Sequence, residues 1–137
     1  MYRFAIIGKA ENTLNLLIND IKVDIIRFDY PLIDKIIVTD NFKLMGLKDI
    51  TAAKLSAVTN RGTKKDFFDI YFLLQHFSLE DILNFFQEKY QMDIAFFHIK
   101  SLTYFDDAEL EPDPNMLINA SWEDVKFLIR QKVQELL

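Results

Sequence analysis

The chain has 137 residues, with 16 basic and 21 acidic side chains and a formal net charge of −5. Half of it is hydrophobic and thirteen residues are Phe, whereas Gly and Pro number three each. A chain of this length fits one domain, or one with a small appendage, and can bury roughly 68% of its unfolded surface. The apolar content excludes a disordered polymer. With no cysteine, disulfides, thiolate catalysis and Cys-based zinc sites are excluded. The longest uncharged apolar run, residues 70–79, is shorter than the ~20 residues a membrane helix needs. Lys9 and Glu11 interrupt the start before a signal-peptide core can form, so a cytoplasmic protein with no membrane partner is expected. The acidic balance argues against general binding to duplex nucleic acid, which calls for a basic surface.

In chain order, the first third reads as β-structure. Residues 3–7 form a short apolar strand. Residues 11–19 alternate imperfectly, with Leu14, Leu16 and Ile18 on one side, and residues 21–28 follow with Ile21, Val23 and Ile25. Asn19-Asp20 between these two runs is a two-residue turn signal, which predicts a hairpin. Pro31 ends that strand, and residues 36–38 and 42–44 are two further short strand pieces.

The rest reads as helices. Leu47–Asn60 carries small or apolar residues at helical spacing, and Asn60 and Gly62 bracket its end. Thr63-x-x-Asp66 resembles a capping box and opens a second helix, apolar on most faces and therefore central. Ser78-x-x-Asp81 opens a third that runs to Tyr90, residues 93–105 a fourth, and Ser121-x-x-Asp124 the last. The Phe pairs at 67–68, 85–86 and 96–97 read as core. Residues 106–114, acidic and Pro-bearing, read as a solvated loop. The expected fold class is α+β, a small N-terminal antiparallel β-unit over residues 1–46 and a C-terminal helical bundle over 47–137.

Chemistry concentrates in one segment. Residues 47–77 hold Lys48, Lys54, Arg61, Lys64 and Lys65 against Asp49, Asp66 and Asp69, a basic island in an acidic chain. Lys54 and Arg61 are seven residues apart, on one helix face at roughly 10 Å. Two cations so placed suit successive phosphates of a nucleotide, Arg61 as a fork and Lys54 as a point charge. The turn before the second helix adds backbone N–H groups. The same spacing also fits ordinary surface charges on an amphipathic helix pair. Asp66 and Asp69 share a face of the second helix; Asp66 reads as a cap, and Asp69 either as exposed or as paired with Lys65. Asp24 lies on a strand between apolar residues, a position open to a metal ligand or to the polar face of a half-exposed strand. His76 and His98 have no partner at ligand spacing, and the three glycines form no Walker-type loop.

Taken together, the run from Asp49 to Leu74 resembles the AbiEii/AbiGii nucleotidyltransferase toxin family, whose members carry a lysine, an arginine seven positions on, then a basic residue followed by D-x-x-D. These positions are Lys54, Arg61, Lys65, Asp66 and Asp69 here. Lys22-Val23-Asp24-Ile25 resembles the family strand that bears a metal-binding carboxylate, and residues 101–109 resemble its C-terminal helical region. The resemblance implies that Asp24 binds Mg²⁺ in an intact relative, that Lys54, Arg61 and Lys65 contact a nucleoside triphosphate, and that Asp66 or Asp69 orients groups or acts as base. It also implies an antitoxin as partner. The family's earlier G-S and D-x-D motif is missing: the 23 residues before Asp24 contain no D-x-D. One carboxylate does not hold two Mg²⁺ ions. The expectation is therefore a C-terminal, truncated part of such a transferase, inactive alone. The alternative is a non-enzymatic module that keeps an antitoxin-binding or homo-oligomeric surface, since strands without neighbours leave an open edge.

Overall fold

A computed structural model describes all of residues 1–137. It is α+β: an antiparallel sheet of β1 (Phe4–Ala10), β2 (Thr13–Ile18) and β3 (Ile21–Ile26), a two-stranded ribbon of β4 (Ile37–Val38) and β5 (Lys43–Leu44), and then helices. The helices are α1 (Leu47–Asn60), α2 (Lys64–Leu73), α3 (Leu79–Tyr90), α4 (Phe96–Ser101), the single turn α5 (Asp106–Glu109) and α6 (Trp122–Leu136). No helix is long and apolar enough to cross a membrane.

The chain divides into two compact units, Met1–Tyr30 and Pro31–Leu137. Composition shifts near Gly46, but the contacts divide sixteen residues earlier because buried polar bonds tie the segment after Pro31 to the helices. The Asp49 carboxylate on α1 accepts hydrogen bonds from the backbone N–H groups of Ile33 (3.1 Å) and Asp34 (2.9 Å). It also pairs at 2.6 Å with Lys89 of α3, whose ammonium donates in turn to the Pro31 carbonyl at 3.0 Å. Both side chains of the pair are fully buried. Gly46 sits so close to this loop that an added Cβ would lie 2.6 Å from the Asp34 Cβ and 2.8 Å from the Lys35 carbonyl oxygen.

In the first unit, Asn19 and Asp20 both adopt positive φ (48° and 66°), the geometry of a type I′ turn, and Ile18 pairs with Ile21. A second tight turn at Glu11-Asn12, with Asn12 at φ 60°, joins β1 to β2, so residues 11–12 belong to a turn rather than to the strand. A bulge at Ile7 shifts the β1 register between Ile6 and Gly8. Because cross-strand partners share a face, one face carries Phe4, Ile6, Leu14, Leu16, Ile18, Ile21, Val23 and Ile25 with Lys9 at one end. The other face carries Ala5, Gly8, Ala10, Thr13, Asn15, Leu17, Lys22, Asp24 and Ile26.

In the second unit, α2 is central. Phe67, Phe68 and Ile70 are buried with Leu55 and Val58 of α1, Ile82 and Phe86 of α3, and Val125 and Ile129 of α6. Phe67, Phe105 and Trp122 form an aromatic cluster with ring centroids 4.9–5.9 Å apart. The Ser78–Asp81 and Ser121–Asp124 capping boxes both form. Three local expectations change. The region 93–105 is helical only over α4, and its Phe96 and Phe97 are exposed because the short helix buries His98 and Ile99 instead. The buried Phe side chains are therefore Phe67, Phe68, Phe86 and Phe105, with Phe85 half-buried. The acidic stretch 106–114 is not simply solvated: it includes α5, and Glu109 accepts hydrogen bonds from Trp122 Nε1 (3.0 Å) and Lys126 Nζ (2.6 Å), which hold its carboxyl below the usual range.

Candidate functional site

Four charges of the basic segment, Lys54, Arg61, Asp66 and Asp69, come together where α1 meets the start of α2, whereas Lys48 lies over Phe85, Asp49 pairs with Lys89 and Lys64 pairs with Asp113. Gly62, at φ 56°, closes α1 by donating its N–H to the Ala57 carbonyl, a left-handed step that glycine makes without strain. That turn brings Arg61 against α2. Its guanidinium forks onto Asp66, with Nε to Oδ2 at 2.8 Å and Nη2 to Oδ1 at 2.8 Å. The Thr63 hydroxyl donates to Asp66 Oδ2 at 2.5 Å. The expected Thr63 capping box therefore does not form. The Asp66 side chain is committed to Arg61 and does not return to the helix end, and the hydroxyl that would have accepted from the backbone donates to it.

Lys54, one helical stretch earlier, reaches the same place. Its ammonium lies 2.6 Å from Asp69 Oδ2 and 3.7 Å from Asp66 Oδ1. Asp69 thus pairs with Lys54 across the helix pair, not with Lys65 four residues before it, because Lys65 points to solvent while Lys54 projects from the facing helix. The four groups alternate in sign. Asp66 is fully buried, whereas Arg61 keeps 54% of its side chain exposed, so the cluster has a buried carboxylate floor and a cationic outer edge.

Burial pushes the Asp66 carboxyl up, but the hydrogen bonds from Arg61 and Thr63 and the charges of Arg61 and Lys54 outweigh it, and the carboxyl lies below its ordinary value. The hydrogen bond to Asp66 raises Arg61 in turn. Asp66 is thus held ionised and is a weak proton acceptor. Asp69 is half-exposed and pairs with the Lys54 ammonium.

Two neighbouring features were not legible in the sequence. Glu111, 47 residues along the chain, accepts the Lys64 backbone N–H at 2.7 Å at the head of α2, and Lys64 Nζ pairs with Asp113 at 3.2 Å. Beside Arg61, a small cavity of about 140 Å³ is lined by Asn60, Gly62, Ser101, Tyr104 and Asp107. No local motif signals a capping carboxylate that arrives from so distant a loop.

Asp24 lies in the first unit, on the polar face of the sheet, where its carboxylate accepts from Asn15 Nδ2 at 2.7 Å and lies 3.5 Å from Lys22 Nζ. The cluster of the second unit gathers Lys54, Arg61, Asp66 and Asp69, with Lys65 exposed at its margin. A divalent ion needs several hard oxygen donors. Both oxygens of Asp66 are taken by Arg61, Thr63 and Lys54, and nowhere do three His, Cys, Asp or Glu side chains gather as a metal site. The residues of this cluster do not fit Mg²⁺.

The family model described as nucleotidyl transferase AbiEii toxin, type IV toxin–antitoxin system, matches residues 6–135. An uncharacterized protein of Aquifex aeolicus (strain VF5) is 32% identical over 133 residues, which cover 94% of this chain and 64% of that protein. The chain therefore spans less than two thirds of the length of that relative. No solved structure matches.

Proposed function

The chain belongs to the AbiEii nucleotidyl transferase toxin family, and on that premise we propose that its second unit supplies the phosphate-binding side of a nucleotidyl-transfer site in a toxin–antitoxin system. The observation that carries this reading is the fork of Arg61 on buried Asp66 with the guanidinium still half in solvent. A guanidinium has five N–H donors, and the fork to Asp66 uses one edge, leaving the outer edge aimed and ready for a phosphate oxygen. Asp66 is then a positioning residue, because a carboxylate held ionised by two partners does not take up a proton at neutral pH. Lys54 provides the second cation by exchanging Asp69 for phosphate, and Lys65 a third at the rim. Asp69, once released, is the acid with access to a reacting hydroxyl.

Asp24 enters this reading as the strand carboxylate of the family's metal side. The 137 residues contain no D-x-D, and in this reading the chain binds nucleotide but does not by itself complete transfer. It acts in the cytoplasm, opposed by an antitoxin protein.

Calorimetric titration of the chain with each nucleoside triphosphate tests the binding half. Binding is expected to weaken roughly tenfold or more on Lys54→Ala or Arg61→Ala, the loss of one charge-assisted contact of about 1.5–3 kcal/mol. Wild-type affinity in both variants, with unchanged circular dichroism, would sink the assignment. Transfer of a radiolabelled nucleotide by this chain alone would overturn its catalytic incompleteness.

A further inference from the structure

A three-stranded sheet of a folded chain ordinarily buries one face. Here the face made by Phe4, Ile6, Leu14, Leu16, Ile18, Ile21, Val23 and Ile25 is apolar in all but one of its nine positions, yet Phe4, Ile6, Ile21 and Ile25 remain 54 to 69% exposed. We infer that this face is the surface through which two copies of the chain associate, sheet against sheet.

Area is the first argument. The four exposed side chains offer roughly 100 Å² each and the four half-buried ones about half of that, a face of about 600 Å². Exposed Met1 and Tyr2 lie next to it in the chain. Together these approach the ~800 Å² per partner of a standard interface and exceed what a monomer ordinarily leaves in one patch. Two such sheets pack about 10 Å apart as an aligned sandwich, each supplying the layer that the other lacks.

Charge is the second. In residues 1–30 the four basic side chains (Arg3, Lys9, Lys22, Arg27) and the four acidic ones (Glu11, Asp20, Asp24, Asp29) cancel, and the whole −5 belongs to the remainder. Two copies of this unit approach without net repulsion. On the face itself the single charge is Lys9, at one end, and a two-fold arrangement with strands antiparallel puts the two lysines at opposite ends. A charged partner has only Lys9, at one end of this face, to recognise. A second copy meets an identical apolar pattern, the self-complementarity of an isologous contact.

Sedimentation equilibrium of the full chain across about 1–100 µM tests the inference, because interfaces of this size have dissociation constants from micromolar down. The expected result is twice the chain mass at the upper end. Ile21→Glu, on the apolar face, is expected to raise the dimer dissociation constant by about 100-fold or more, while Lys22→Glu, on the opposite face, leaves it within about threefold. Should Ile21→Glu fail to fold, the absence of native cysteine gives a second readout: a short bismaleimide should link copies of Ile6→Cys and not copies of Lys22→Cys. A monomer at every concentration overturns the inference. So does a dimer that crosslinks through Lys22→Cys, or a monomeric chain that purifies with a different polypeptide on this face.

Discussion

Asp66 and Asp49 are both carboxylates with no exposed surface, yet their surroundings give them different energetics. The partner of Asp66, Arg61, stays half in water, so removing Asp66 leaves a cation that water can solvate. The loss is then the hydrogen bonds from Arg61 and Thr63 and the filled space, about 1–3 kcal/mol. Asp49 faces Lys89, which is equally buried, and removing either leaves an uncompensated charge in the core. The depressed acidity of Asp66 carries a sign for stability. A carboxyl whose folded pKa is lowered contributes stability above its unfolded value, near 3.8, and loses it as the pH falls through the folded value. Asp66→Asn should therefore lower the urea midpoint at pH 7, and its gap from the wild type should close as the pH falls below the ordinary carboxyl value of 3.8. A gap that stays constant through that fall would mean that Asp66 is not held ionised by Arg61. Asp66 and Arg61 stood out in the sequence as chemistry-bearing residues, but their pairing did not. The pattern Thr63-x-x-Asp66 is locally the same as Ser78-x-x-Asp81, and both read as capping boxes. Only the second is one, because a guanidinium in the preceding turn outcompetes the backbone for Asp66.

Among the elements, those whose cause is local were legible. The Asn19-Asp20 turn fixes the β2–β3 register, and the two serine boxes start α3 and α6 where their spacing requires. Elements fixed by distant partners were not. The α2 N-terminus takes Glu111 from 47 residues away, and the loop from Pro31 to Asp34 is set by Asp49 and by Lys89, 40 residues from Asp49. A lysine in the last turn of a helix ordinarily stays solvated and favours the helix C-terminus. Lys89, in the last turn of α3, is instead a buried strut that joins α3, α1 and the loop that precedes them. Lys89→Ala is accordingly expected to cost about 3–5 kcal/mol in urea unfolding, more than Asp66→Ala, since it leaves Asp49 buried without its counter-ion. Lys89→Met combined with Asp49→Asn removes both charges and should recover part of that loss. If the double variant is no more stable than Lys89→Ala, the Pro31 carbonyl and the backbone N–H groups, and not the charge pair, carry the strut.

For the whole molecule, the two units differ in what holds them. The second owns a continuous core centred on α2, the aromatic cluster of Phe67, Phe105 and Trp122, and the Asp49–Lys89 strut, all within residues 31–137. The first has β2 as its only strand with neighbours on both sides, and exposed apolar side chains on β1 and β3. Three strands of 30 residues without a covered face fall below the size at which a core sustains itself. The units should therefore separate experimentally at Tyr30. A chain of residues 31–137 should retain the helical circular dichroism and unfold in one cooperative urea transition, whereas the peptide 1–30 should show no sheet signal in dilute solution. The position of the break also discriminates between causes. If composition governed, residues 47–137 would be as stable as 31–137. If the Asp49–Lys89 strut governs, deleting residues 31–46 strips Asp49 of the two backbone donors at Ile33 and Asp34 and Lys89 of the Pro31 carbonyl. A buried polar group left without its partner costs about 1–3 kcal/mol, so the shorter chain should be the less stable of the two by at least that much. Equal midpoints for the two fragments would show that the segment after Pro31 contributes nothing to the helical unit.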